Sequence, residues 1–483
     1  MLTLVAFIVA LGLLISIHEY GHYRVAVACG VKVQRFGIAT FPVSVPEEGK
    51  SSGLHRFFYY VTKPIYEWQP TRRHAGQETV FAVGLFPFGG YVQMLGQDKS
   101  EPVAPSDVAM AFRNKPIWKR FAIVAAGPAA NLLLAVFLYS CVNWYGVEEP
   151  KALLASPVVG SIAQQAGLRG GERVERAGFE GEEMQPVASF ETLRWLLTRG
   201  ALDGRDVRLG LAATPTSQSV QVTLPLSRIN VKEADARLFD RIGIAGPLTR
   251  PVVGEVVPGD PAERAGLREG DIVLSIGDVP MVDGQQLFSS IRALVKDAQP
   301  VTKTWRVSRT GRELSVVVTP KIMQDGAVSF ARVGARVGST PEMVHVRYGA
   351  FEGLANGIAR TWEMSSLTVR MMGRMLTGQA SLKNLSGPIT IAEYAGKSAK
   401  IGVEQFLLYL AILSVSLGVL NLMPLPVLDG GHLMYYLWEA VTGKGVSDAW
   451  MEGLQRGGVA VLMMMMSIAL FNDAARIVTR LFG

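Results

Sequence analysis

The pentapeptide His18-Glu19-Tyr20-Gly21-His22 follows a nearly continuous apolar run from Leu2 to Ile17. On a helix, residues four apart share a face, so His18 and His22 can present two imidazoles to one metal ion. Glu19 sits beside the first of them, where a carboxylate can serve as general base toward a water at that metal. Each ionisable group in a membrane helix costs roughly 3 kcal/mol or more, so three of them at the end of an apolar run point to a functional site. The competing explanation is a chance pentapeptide on a soluble helix, which the apolar run argues against.

A catalytic zinc ion takes three protein ligands and keeps one position for water, so a third ligand is needed. No second acidic or histidine motif follows at short spacing. His55, His74 and His345 lie in polar stretches and read as surface histidines. Asp429 fits better. It ends the stretch Asn421-Leu422-Met423-Pro424-Leu425-Pro426-Val427-Leu428-Asp429-Gly430-Gly431, after an uncharged run of 24 residues from Gln405 to Leu428. A water-exposed carboxylate at a helix end, or ligation by nearby His432, remains the alternative at this point. Asn421 stands two helical turns before Asp429. It is a candidate amide donor to a developing oxyanion or, equally, a partner in an interhelical hydrogen bond.

The elements that must position these residues are membrane helices. Of 483 residues, 49% are hydrophobic, and the mean hydropathy is +0.25, which suits spans combined with soluble modules. The net charge of +7 comes without a Lys/Arg block interleaved with aromatics, so nucleic acid is not an expected partner. Cys29 and Cys141 allow neither a disulfide framework nor a cysteine-based zinc site. The N-terminal apolar run lacks a positive n-region and a small-residue cleavage site, and reads as a retained span. Uncharged runs at Phe121–Val147, Gln405–Leu428 and Gly457–Asn472 bring the span count to four, the last being short enough to need its flanks. Residues 24–120 hold 13 Lys/Arg, which places them in the cytosol and 148–404 on the far side. His18, His22 and Asp429 then share the cytosolic half of the bilayer.

Residues 150–322 repeat. Val158-Val159-Gly160 recurs as Val252-Val253-Gly254, and Ala166-Gly167-Leu168-Arg169-Gly170-Gly171-Glu172-Arg173-Val174 as Ala265-Gly266-Leu267-Arg268-Glu269-Gly270-Asp271-Ile272-Val273. Two copies of one module follow from this, and the pattern resembles the PDZ domains of bacterial proteases. Such a domain takes peptide C-termini by strand addition. Two β-rich spacers without a ligand would also fit. Residues 353–380 read as an amphipathic helix, lying at the lipid interface or packed on the modules.

HExxH in a first span, LDGG in a later one and PDZ-like modules between them resemble the site-2 protease family of intramembrane zinc metalloproteases, regulator-of-sigma-E protease type. Phe88-Gly89-Gly90-Tyr91-Val92 is similar to the family's membrane-re-entrant hairpin, Ala126-Gly127-Pro128-Ala129-Ala130-Asn131 to its second-span motif, and Ser386-Gly387-Pro388-Ile389 to its segment before the third span. The stretch from Phe41 to Thr79 departs from the family's pattern in length and glycine content. The resemblance implies Zn²⁺ held by His18, His22 and Asp429, Glu19 as base, and Asn421 in a substrate or oxyanion role. It also implies substrate contacts at Gly89, Gly90, Tyr91 and Asn131. The expected substrate is a single-pass membrane protein such as an anti-sigma factor already trimmed outside, with remnant signal peptides a further class. A membrane-anchored PDZ scaffold or chaperone, and a metal or proton-coupled transporter, are the rival functions.

The expected fold is a multi-pass α-helical membrane protein with four spans, a membrane-associated β-hairpin and two inserted PDZ-like α+β domains, in the bacterial inner membrane with those domains periplasmic. Its expected segments are a first span with HExxH over 1–28, a cytosolic loop over 29–116 with the hairpin near 79–95, and a second span over 117–147. PDZ-like domains follow over 150–240 and 241–322, then a linker with the amphipathic helix over 323–404, a third span over 405–438 and a fourth over 457–483.

Overall fold

The computed structural model describes residues 2–40, 62–70, 77–84, 89–97, 102–212, 220–229, 236–325, 328–377 and 387–482. His55, His74, most of the Phe41–Thr79 stretch, Phe88 and Ser386 lie outside the described residues. The chain divides into two units, Met1–Tyr145 with Arg347–Gly483, and Gly146–Val346.

The first unit is built of helices α1 (Leu2–Ala28), α2 (Ile117–Tyr145), α3 (Ala350–Leu376), α4 (Pro388–Ile401), α5 (Val403–Leu422), α6 (Asp429–Thr442) and α7 (Asp448–Phe482). Four stretches are long and apolar enough to cross a membrane: Leu2–Ala28, Ile117–Tyr145, Val403–Leu422 and Ala449–Arg476. The chain is thus a multi-pass membrane protein by these helices. The fourth span draws on both flanks of the short apolar run, so it reaches crossing length. The third is interrupted. Pro424 and Pro426 cannot continue a helix, and α5 stops at Leu422 before α6 begins at Asp429.

α2 packs against α1, α3 and α5. Close approach is secured by missing side chains, as in other membrane helix pairs. A Cβ on Gly21 of α1 would lie 2.4 Å from the Ala126 carbonyl oxygen of α2, and one on Gly418 of α5 3.1 Å from that of Pro128. Asp473 of α7, 1% exposed, caps α4 from outside its own helix. It accepts from the backbone N–H groups of Gly387, Ile389 and Thr390 at 3.2, 3.0 and 3.1 Å.

Strands β1 (Val33–Ile38), β2 (Tyr66–Trp68), β3 (Val80–Val83) and β4 (Gly90–Met94) form one sheet in the order β2-β3-β1-β4. This corrects the expected hairpin. β3 runs parallel to β1 and β4 antiparallel to it, so β1 separates the two strands taken as hairpin arms. Tyr23, Phe36 and Phe81 pack edge-on and tilted between α1 and the sheet, with ring centroids 5.4–5.6 Å apart. That aromatic cluster draws β1 and β3 together.

The second unit contains two four-stranded sheets of matching order. In the first, 185–186, 173–179, 207–212 and 220–224 lie side by side; in the second, 279–280, 272–276, 303–309 and 312–318 do. Each has its own core, around Phe190, Leu193 and Leu197 in the first and Trp305, Leu287 and Val307 in the second. The repeated acidic residue has a local cause. Asp271 is buried and accepts from Arg268 N–H at 2.9 Å and from the Arg309 guanidinium at 2.7 and 2.8 Å. Burial alone would raise its carboxyl, but the Arg309 and Arg268 donors outweigh it and hold the group below the usual carboxylate range. Glu172 does the same work in the first copy, accepting from the N–H groups of Arg169 and Gly170, each at 2.7 Å.

Residues from 323, read as the start of a linker, continue the second module. Ala331 and Val333 belong to its core, and 335–337 pairs with 253–256. The unit ends where strand 343–346 pairs antiparallel with 147–150, so its last strand lies beside its first. The amphipathic helix lies in the first unit as α3, packed on α2.

Candidate metal centre

α1 carries His18 and His22 side by side, both 8% exposed. Their Nε2 atoms lie 3.2 Å apart. Asp429 approaches from the first turn of α6, its Oδ2 3.1 Å from His18 Nε2 and 3.5 Å from His22 Nε2. Three donor atoms thus converge on one point. Two imidazole nitrogens and a carboxylate oxygen match the donor set of a catalytic zinc ion with an open fourth position. A carboxylate also gains from the positive end of the helix that it begins.

Three backbone features make this convergence possible. Gly127 of α2 faces the histidines, and a Cβ there would stand 2.3 Å from His22 Nε2 and 2.8 Å from His18 Nε2. Any side chain would therefore occupy the space beside the two imidazole Nε2 atoms. Gly430 and Gly431 let the first turn of α6 fold against the segment before it. Their Cβ atoms would meet the carbonyl oxygens of Met423 at 2.1 Å and Leu425 at 2.4 Å. Finally, His22 Nδ1 lies 2.8 Å from the carbonyl oxygen of Ile123. A carbonyl can only accept, so Nδ1 carries the proton and Nε2 keeps its lone pair for a metal.

A cavity of about 640 Å³ opens on the cluster, lined by Glu19, Gly89, Gly90, Tyr91, Asn421 and His432 among others. β4 is an edge strand among the described residues, and a Cβ on Gly90 would come within 2.9 Å of Glu19 Cγ. The sheet edge and the acidic side chain are therefore immediate neighbours. Asn421 lies in the last turn of α5 on the cavity wall, with no interhelical hydrogen bond from its side chain among the described residues. Asn131 is placed differently. It is fully buried behind His18 and is not on the cavity wall. His345 belongs to the second unit, on strand 343–346, 3.1 Å from Glu148 Oε1. His432 borders the cavity against the Tyr435 ring and is not one of the three converging donors.

Sequence reading missed Gly127 and the Ile123 carbonyl. The first had a trace, since it lies in the Ala126–Asn131 motif. The second is backbone and leaves no signature.

The profile of peptidase family M50 matches residues 6–49 and 68–465. The chain belongs to this family. It is 34% identical over 484 residues to the regulator of sigma E protease of Salmonella typhi, covering 98% of each chain. It is 34% identical over 486 residues to the regulator of sigma-E protease RseP of Escherichia coli, again 98% of each. A Ralstonia nicotianae protein whose name describes a zinc metalloprotease is 36% identical over 490 residues, 99% of each chain. The M50 match omits residues 50–67, inside the stretch whose sequence departs from the pattern. His18, Glu19, His22 and Asp429 all fall in matched residues.

Proposed function

We propose that this M50 peptidase is a zinc-dependent intramembrane endopeptidase of the site-2 type, cutting membrane-spanning segments of single-pass proteins. The observation that carries this reading is the convergence of His18, His22 and Asp429 beside Glu19 in one cavity among helices of membrane-crossing length. Relatives named as regulators of sigma E point to an anti-sigma factor, already trimmed outside the membrane, as the substrate; remnant signal peptides have the same single-pass form. A PDZ scaffold without catalysis would leave the convergent cluster without a cause.

His18 Nε2, His22 Nε2 and Asp429 Oδ2 would hold Zn²⁺, which when bound would supply Lewis-acid polarisation of the scissile carbonyl and of a water. Glu19, on the same cavity wall, would accept a proton from the attacking water and deliver it to the departing amine. Asn421 donates its amide N–H to the oxygen that gains charge. A substrate helix hides its carbonyls in its own hydrogen bonds, so the stretch to be cut must unwind. The edge of β4 at Gly90 and Tyr91, unpaired among the described residues and preceded by Gly89, supports pairing of the unwound stretch as an added strand, which would hold it beside Glu19.

The repeated modules are PDZ-like in this reading, face the periplasm and take peptide C-termini, screening substrates for prior trimming. The packing of helix 284–292 on strand 335–337 in the second module supports a peptide groove there. The enzyme belongs in the bacterial inner membrane, where lipid surrounds its four spans.

Asp429→Ala tests the assignment. Purified in detergent, it should lose bound zinc and cleavage of a tagged single-pass substrate, whereas His55→Ala, His74→Ala and His345→Ala should retain both. Full zinc occupancy and cleavage in Asp429→Ala would reopen the choice of third ligand in favour of His432.

A further inference from the structure

Asn131 lies one helical turn beyond Gly127 on α2 and is 0% exposed. Its amide Nδ2 stands 3.2 Å from His18 Nδ1, while its Oδ1 has no hydrogen-bond partner among the described residues. Its backbone carbonyl accepts from Ser414 Oγ at 2.7 Å, which fixes the α2–α5 crossing at this height. Resting on the metalloprotease reading above, we propose that Asn131 is a positioning residue whose Oδ1 accepts from His18 Nδ1–H and holds that imidazole as a metal ligand.

The argument starts from the ring. A neutral imidazole has one proton for two nitrogens. His18 Nε2 faces Asp429 and His22, so ligation there requires the proton on Nδ1. A buried N–H without an acceptor is costly. His22 meets this need with the Ile123 carbonyl. For His18, the side chain at hydrogen-bonding distance of Nδ1 is the Asn131 amide. An amide offers either its oxygen or its nitrogen to one neighbour by a half-turn about Cβ–Cγ, and the surrounding bonds decide which. With Nδ2 inward, it would oppose a protonated Nδ1, and buried Oδ1 would lack a donor. With Oδ1 inward, His18 gains its acceptor and Oδ1 its donor. The two histidines then have matched supports from α2, one by backbone and one by side chain.

The experiment measures zinc binding by competition with a chromogenic chelator, using the full-length chain in detergent. Asn131→Leu keeps the branched outline of the side chain and removes the acceptor. Its zinc dissociation constant should rise about 10–100-fold, the usual effect of losing such a support, and excess zinc should restore cleavage. Asn131→Asp supplies a stronger acceptor and should bind zinc at least as tightly as the unaltered chain. If leucine prevents folding, Asn131→Ser replaces it, with a hydroxyl too short to reach the ring and the same weakening expected. Unchanged affinity without the amide would overturn the proposal. So would an aspartate variant as weak as leucine or serine, since that outcome marks a role in helix packing alone. A wild-type chain that binds no zinc would instead sink the functional reading itself.

Discussion

At the scale of single residues, the centre depends on two kinds of side chain, those that act and those that are absent. Glu19→Gln keeps the size of the side chain and leaves the three donors in place. It should retain zinc and lose about 10²–10⁴-fold in cleavage rate, read as product formed per zinc-loaded enzyme. Undiminished turnover would remove Glu19 as the base. Gly127→Ala tests the opposite kind. Its methyl group would fall 2.3 Å from His22 Nε2, so zinc content should drop about tenfold or more by metal analysis. Gly12→Ala on α1 is the control, because a Cβ there meets nothing within 4 Å and binding should not change. The converging residues were legible because ionisable side chains stand out against an apolar run. The histidine pair follows from helical spacing, and Asp429 from the end of an uncharged stretch. Gly127 and the Ile123 carbonyl matter through their position on another helix, which no local pattern encodes.

At the scale of elements, spans were legible and strand partners were not. Helical hydrogen bonds close within four residues, so composition and length identify α1, α2, α5 and α7. β1 pairs with strands that come some fifty residues later in the chain, and local alternation carries no information about that choice. Hence the strands near Gly90 read as a hairpin. The acidic turn of the second module offers a prediction at this scale. Asp271 has a folded-state pKa depressed below the free value of about 3.9. Its stabilising effect is therefore complete above that value and is lost as pH falls through the folded one. In Asp271→Asn this acid-side loss should vanish, and stability at neutral pH should fall. Hydrogen exchange of peptides spanning 266–275 and 303–312, compared between pH 6 and pH 3, measures both. Identical pH profiles in the two proteins would show that the Arg309 pair contributes nothing.

At the scale of the whole molecule, the metal serves chemistry and not folding. Each unit has extensive apolar cores of its own, unlike a zinc finger that collapses without its ion. Chelation should therefore abolish cleavage and leave helical circular dichroism unchanged, with activity returning on added zinc. Melting of the helices on chelation would contradict this. The division into units has a second consequence. The strands 147–150 and 343–346 lie side by side, so the chain leaves for the second unit and comes back at almost one point. A cut made at the sequence-read limits, 150 and 322, would strand 328–337 without its sheet. A cut at 147 and 346 would remove a complete body and leave two ends that a few glycines can join. The protease is thus organised as a cassette holder. A folded domain whose own termini adjoin could be seated at that point without altering any of the three converging residues, His18, His22 and Asp429.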